Sequence, residues 1–204
     1  MEQCYLAQAN RRYSDAMSSR RLLLARHGQT AWNALGKLQG HTDIALDDTG
    51  REQARALAEQ LRTAGVGTVW TSDLSRARET GEIVASVLGL GTPRVEPALR
   101  ERKFGIFEGL TRAECAERHP EHWAAWQAQS SAPPGGEPIP DAVVRMNAAL
   151  AKIALGAEAG AILVVSHGGL MRLWLQDLHG THLPPIANGS IHAIEHDGER
   201  FRVG

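Results

Sequence analysis

The sequence predicts an α/β fold with a mostly parallel sheet that ends in an antiparallel hairpin. Three observations carry this. Short apolar runs alternate along the chain with longer segments whose apolar residues recur at helical spacing. Two of those runs, LLLA at Leu22–Ala25 and AILVV at Ala161–Val165, read as buried strands, and each runs into a helix. The tail, SIHAIEH, then Asp197-Gly198, then RFRV, has the alternation and turn dipeptide of a hairpin.

The elements follow in order. Leu22–Ala25 is a short strand that leads into a helix near Thr30–Leu35. Asp47–Gly65 reads as a helix, with Thr49 and Glu52 at capping-box spacing and Ala54, Leu57, Ala58, Leu61 and Ala64 on one face. Val66–Trp70 is a second strand, and Ser75–Leu88 is a helix with Ile83, Val84, Val87 and Leu88 inward. Arg94–Leu99 suggests a third strand. Thr111 and Glu114 repeat the capping-box spacing before a helix ending near Pro120, and Glu121–Gln129 is another helix. The composition of Ser131–Pro140 marks a loop. Ala142–Leu155 follows as a helix with Val143, Met146, Leu150 and Ile153 inward, and the helix after the Ala161–Val165 strand reaches about Leu178.

The length of 204 residues suits one domain, expected at 21–204 behind an N-terminal extension at 1–20. The formal net charge of -1 does not point to nucleic acid or an anionic membrane as partner. No apolar stretch approaches the roughly 20 residues of a spanning helix. Residues 1–20 lack the apolar core of a signal peptide and carry Glu2 and Asp15. The two cysteines, Cys4 and Cys115, form neither a disulfide framework nor a zinc motif. A cytoplasmic location is the expectation.

The chemistry is expected where strands end. Both apolar runs end alike, in Arg26-His27-Gly28 and in Ser166-His167-Gly168-Gly169. In open α/β sheets ligands bind outside the carboxyl ends of the strands, where helix N-termini favour phosphate. A neutral imidazole can attack phosphorus, and nearby guanidinium groups help keep it unprotonated. Arg26 is adjacent and Arg76, in SDLSRARET, follows the second strand. A leaving alkoxide needs a proton, for which Glu101 in LRERKFGIFEG is the best-placed carboxyl. Taken singly, each of these residues is an ordinary surface side chain. The remaining histidines form no metal-like group: Pro120 separates His119 from His122, and His192 and His196 merely share a strand face. Trp123 and Trp126 read as core or dimer surface rather than as part of a substrate site.

In this order RHGQTAWN, SDLSRARET, LRERKFGIFEG and SHGG resemble the histidine phosphatase superfamily, over about Arg21–Val203. The resemblance implies a phosphoglycerate mutase-like three-layer α/β/α sandwich that uses no metal and no nucleotide. It implies His27 as phosphoryl acceptor, Arg26, Arg76 and His167 as phosphate clamp, and Glu101 as proton donor. Asn33 matches a phosphate-binding residue with Thr30 close by, Gln39 and Gly40 match a substrate-contacting pair, and the backbone of Gly168 matches a further phosphate contact.

Two activities share that chemistry. Similar mutases carry a Tyr where this chain has Phe104, a Lys where it has Arg112, and an arginine pair where it reads WQAQSSAPPGG. Without fixed cations a phosphoglycerate carboxylate would be poorly held. The expectation is therefore a phosphatase for small phosphomonoesters, with a mutase as the alternative. A pocket mouth of Trp32, Phe104, Phe107, Lys103 and parts of 110–135 would suit such substrates and disfavour phosphoproteins. A catalytically silent binding module would have lost a clamp residue, and this chain has lost none. A homodimer is expected from general frequency, with Trp126 or Trp174 at its interface.

Overall fold

The computed structural model describes residues 19–156 and 159–203. The expected N-terminal extension lies almost wholly outside them, as does Cys4. The described residues form a six-stranded sheet between two layers of helices. Strand β1 (Arg20–Arg26) leads to α1 (Ala31–Ala34) and α2 (Asp48–Leu61). Then come β2 (Val66–Thr71), α3 (Ser75–Leu88) and β3 (Arg94–Val95). Two short helices, α4 (Arg112–Arg118) and α5 (Pro120–Gln127), precede α6 (Ile139–Ala154). The chain closes with β4 (Ala161–Ser166), α7 (Gly168–His179), β5 (Ile191–His196) and β6 (Phe201–Val203).

The strand order is β3-β2-β4-β1-β5-β6. Strands β1, β2, β3 and β4 are mutually parallel, and β5 and β6 form the antiparallel hairpin. The alternating side chains of β1 and β4 feed two cores. Leu22, Leu24, Ile162 and Val164 face Met146 and Leu150 of α6 and Leu170 and Trp174 of α7. Leu23, Ala25, Leu163 and Val165 face Leu57 and Leu61 of α2 and Ala77 and Val84 of α3. Trp174, 2% exposed, packs edge-on against Phe201 in the first core and is not at a surface, correcting its expected place at an interface. A third cluster of Phe104, Phe107, Cys115 and Trp123 packs α4 and α5 over the segment before them.

Several boundaries move for local reasons. Helix α2 is capped by Asp47, whose Oδ1 accepts from Gly50 N at 2.8 Å, and not by Thr49. It stops at Leu61 before a turn that ends at Gly65, with φ of 69°. The expected third strand is cut to Arg94–Val95 because Pro97 has no N–H and Glu96 caps a short 3-10 turn at Pro97–Leu99. The Thr111–Glu114 capping box forms as expected. Pro120 starts α5 at its first helical position, where a missing N–H is harmless. Ile139 and Pro140 belong to α6 rather than to the loop before it. At the hairpin, Asp197 Oδ1 accepts from the N–H groups of Glu199 and Arg200.

Candidate active site

Strand register builds the site. Arg26 pairs with Ser166 across β1 and β4, so the residues that follow the two strands, His27 and His167, emerge side by side. Their ring centroids are 5.1 Å apart. Strand β2 flanks β4 on its other side and ends in the turn to α3, which brings in Arg76. Three strand ends therefore converge, with β4 in the middle.

A cavity of about 440 Å³ opens over these ends. Arg26, His27, Asn33, Gln39, Gly40, Glu101 and Gly168 line it. Arg76 and His167 stand in the layer behind, 1% and 0% exposed. Thr30 does not reach the wall. Its hydroxyl caps α1, accepting from Asn33 N and donating to Asn33 Oδ1, both at 3.2 Å, so it shapes the site rather than lining it.

His27 is held in one tautomer. Its Nδ1 donates to Gly28 O at 2.6 Å, so Nε2 of the neutral ring carries the lone pair. Burial first, then the charges of Arg76 and Arg26, keep the ring well below the usual histidine pKa. His167 is pushed down likewise, by burial and then by Arg76. Burial draws Arg76 down to about 10, which still leaves it cationic at neutral pH.

The donors are arranged around an anion. Arg76 gives Nη1 to Thr42 O and Nη2 to Gly40 O, at 3.0 and 2.8 Å, while its buried Nε has no protein partner. Arg26 gives Nη1 to Ile186 O at 2.6 Å, and its Nε is likewise unpartnered. Both ring nitrogens of His167 are buried without a partner. Buried polar atoms are normally satisfied within the protein. Several unsatisfied donors converging beside one imidazole suit the equatorial oxygens of a phosphoryl group. Asn33 adds another: its Oδ1 accepts from Thr30 and from Asn188 Nδ2, which leaves its own amide N–H groups for the cavity.

Glu101 is tethered by the start of α7. Its Oε1 accepts from Arg102 N and Leu170 N, at 2.8 and 2.7 Å, and its Oε2 from Gly169 N at 2.9 Å. A carboxylate has about four lone-pair positions, so one remains, on Oε2. Glycine leaves room for both side chains here. A Cβ on Gly168 would come within 2.8 Å of the Arg26 side chain, and one on Gly169 within 2.8 Å of Glu101 Oε1. His41 Nε2 donates to Glu101 O at 2.8 Å and fixes the backbone of the same residue.

Other residues hold the site in place without an obvious sequence signal. Glu108 accepts from the N–H groups of His41, Thr42 and Phe104, and so shapes the loop whose carbonyls orient Arg76. Asn188 Nδ2 donates to His27 O at 2.9 Å. The Asn188-Gly189 dipeptide marks a turn, but only the fold carries it to His27. Trp126, expected in core or dimer surface, lines the cavity and stacks on Trp123 at 4.9 Å. Phe104 is also in the wall, whereas Trp32, Phe107 and Lys103 are not among the lining residues. Phe107 is fully buried, in contact with Trp123 and Trp126. Among the described residues, no group of three or more His, Cys, Asp or Glu is placed to hold a metal ion. No described helix is long and apolar enough to cross a membrane.

A doubly covered, mostly parallel sheet with an imidazole and unpartnered buried donors at its carboxyl end has the form of an α/β protein suited to a phosphoryl group. The chain belongs to the histidine phosphatase superfamily, branch 1, whose family model matches residues 22–204. It is 36% identical over 189 residues to phosphoglycerate mutase-like protein 4 of Arabidopsis thaliana, covering 89% of this chain and 82% of that one. It is 33% identical over 178 residues to a metal-independent phosphoserine phosphatase of Arabidopsis thaliana, covering 85% and 75%. Among solved structures it superposes on a mycobacterial glucosyl-3-phosphoglycerate phosphatase in complex with VO3. The TM-score is 0.79 at 32% identity, over 90% of this chain and 97% of that one. A 2,3-bisphosphoglycerate-dependent phosphoglycerate mutase 2 of Gloeobacter violaceus is 35% identical over 170 residues, covering 80% and 77%, so phosphatases and a mutase are both among its relatives.

Proposed function

We propose that this chain is a metal-independent phosphomonoester hydrolase that acts on small organic phosphates through a phosphohistidine on His27. The observation that carries the reading is the committed tautomer of His27. Its Nε2 lone pair sits in a ring of donors that the protein leaves unsatisfied.

In the first step Nε2 attacks phosphorus and a P–N bond forms as the P–O bond to the alcohol breaks. The proton on the remaining lone-pair position of Glu101 goes to the leaving oxygen. Charge on the equatorial oxygens is met by Arg26, Arg76, His167 and Asn33. In the second step water attacks the phosphohistidine, gives its proton back to Glu101, and frees phosphate and His27.

The hydrolytic reading is supported by Phe104, which brings no hydroxyl to the cavity, and by relatives named as phosphatases. A mutase reading keeps some ground. The arginine-free stretch 126–136 is not the whole supply of positive charge, because Lys37, Arg102, Arg112 and Arg172 also line the cavity. The deciding experiment follows phosphate release from a panel of phosphomonoesters in excess chelator, with 3-phosphoglycerate interconversion followed alongside, for wild type and His27→Ala. Release by wild type alone, without interconversion, is the expected result. Efficient interconversion would replace the hydrolase with a mutase, and turnover by His27→Ala would sink the phosphohistidine.

A further inference from the structure

We propose that Gln53 is a positioning residue for the nucleophile, acting through the peptide group between Gly28 and Gln29 to strengthen the hydrogen bond that holds His27 Nδ1. Its effect on rate rests on the phosphohistidine reading, whereas the contact itself stands on the following geometry.

One planar peptide group carries two bonds. Its carbonyl, Gly28 O, accepts from His27 Nδ1 at 2.6 Å. Its N–H, on Gln29, donates to Gln53 Oε1 at 2.8 Å. Amide resonance couples the two ends of the group. An acceptor at the N–H pushes electron density toward the carbonyl oxygen, which then accepts more strongly from the imidazole.

The fold holds this turn from both sides. Half-buried Gln53 stands on α2 and reaches it because Gly28 and Gly50 let the two segments touch. A Cβ on either glycine would overlap the backbone of the other segment. The start of α2 grips the same turn: Asp47 N donates to Gln29 O at 3.0 Å, and Gln29 Nε2 donates to Asp47 Oδ2 at 3.1 Å. The preceding peptide is fixed from α3, where Thr80 Oγ1 accepts from Gly28 N at 3.1 Å and donates to Arg76 O at 2.7 Å. With the turn fixed, the acceptor at Gln29 N sets how strongly the Gly28 carbonyl can accept.

The bond matters most while phosphorus is attacked. As the Nε2 lone pair forms the P–N bond and the P–O bond breaks, the ring becomes an imidazolium and Nδ1 keeps its proton. Positive charge then appears at Nδ1–H, and its bond to Gly28 O strengthens. That gain is made in the transition state and not in the free protein, so it accelerates the step. In the free protein burial and the charges of Arg76 and Arg26 oppose a positive ring, and the Gly28 carbonyl favours one. That acceptor is a neutral peptide, so its strength depends on what its own N–H meets.

Two variants of the full-length protein test this. Gln53→Met fills a similar volume without an acceptor oxygen, and Gln53→Glu keeps an acceptor and makes it stronger. The first readout is the proton NMR signal of His27 Nδ1–H at neutral pH without phosphate, identified by its loss in His27→Ala. It should move upfield in Gln53→Met, as a weakened hydrogen bond does, and downfield in Gln53→Glu. The second is single-turnover release of p-nitrophenol from p-nitrophenyl phosphate with enzyme in saturating excess, which reads transfer to His27 apart from binding and from proton donation. Its rate constant should fall about three- to tenfold in Gln53→Met, the contribution of about one hydrogen bond, and recover at least in part in Gln53→Glu. If Gln53→Met does not fold, the downfield movement in Gln53→Glu decides alone. A signal unmoved by substitution, or an unchanged single-turnover rate in a folded Gln53→Met protein, would overturn the proposal and leave Gln53 as a mere partner for Gln29 N–H. Signals that move as expected in a wild-type protein that releases no p-nitrophenol would instead overturn the phosphohistidine reading and leave the contact standing.

Discussion

Acid should destabilise this protein through two imidazoles before most carboxylates begin to titrate. His27 and His167 are 3% and 0% exposed, and burial followed by Arg76 holds both well below the usual value. In the unfolded chain each titrates at about 6.5. Between that pH and the lower folded values, the unfolded chain takes up a proton that the native chain refuses. Stability is therefore fully present above about pH 6.5 and falls as the pH drops from there toward the folded values. Once the pH is about a unit below 6.5, each imidazole removes about 1.4 kcal/mol per pH unit, or about 2.7 kcal/mol per unit for the pair. Urea unfolding followed by tryptophan fluorescence between pH 7.5 and 4.5, in a buffer free of phosphate and sulfate, measures this. His167→Asn isolates one contribution, since neither ring nitrogen has a protein partner to orphan. Between about pH 5.5 and the lowered native value of His167, the variant's stability should fall less steeply by about 1.4 kcal/mol per pH unit. Carboxylates common to both proteins cancel in the difference. Parallel profiles would mean that His167 titrates alike in both states and is not held neutral by the fold.

Two further perturbations target the chemistry. Arg76→Ala removes the buried guanidinium behind the cavity and should lower kcat by about 10²–10³-fold, the usual cost of a preorganised donor; a loss confined to KM would make Arg76 a binding or scaffold residue only. Gly169→Ala places a Cβ within 2.8 Å of Glu101 Oε1 and should push the carboxyl away from the leaving oxygen. Hydrolysis of alkyl phosphates should then fall about tenfold further than that of p-nitrophenyl phosphate, whose leaving group needs no proton. Equal losses on both would separate Glu101 from proton donation.

The order of strands and helices was legible because it is encoded locally. Apolar spacing along Ala54–Leu61 and Met146–Ile153 marks the faces that α2 and α6 bury. The capping box at Thr111 needs only residues three apart. Local signals failed where two competed. Thr49 and Asp47 both offer a cap, and Asp47 takes it through Gly50 N. Local pattern assigns Pro97 to a strand and Pro120 to a helix end, whereas each opens a helical turn, where its fixed φ and missing N–H do no harm.

The candidate site divides in the same way. By itself the sequence determined which residues stand at the strand ends, because an apolar run and the polar residues that stop it are adjacent in the chain. It also determined that Gly168 and Gly169 follow His167. Only the tertiary structure decided that β4 lies between β1 and β2, so that His27, His167 and Arg76 converge. Only the tertiary structure turned Trp126 toward the cavity and brought Asn188 under His27. Strand order, and the burial of a side chain by partners distant in sequence, depend on how the sheet and both helix layers pack together, and no window of neighbouring residues contains that information.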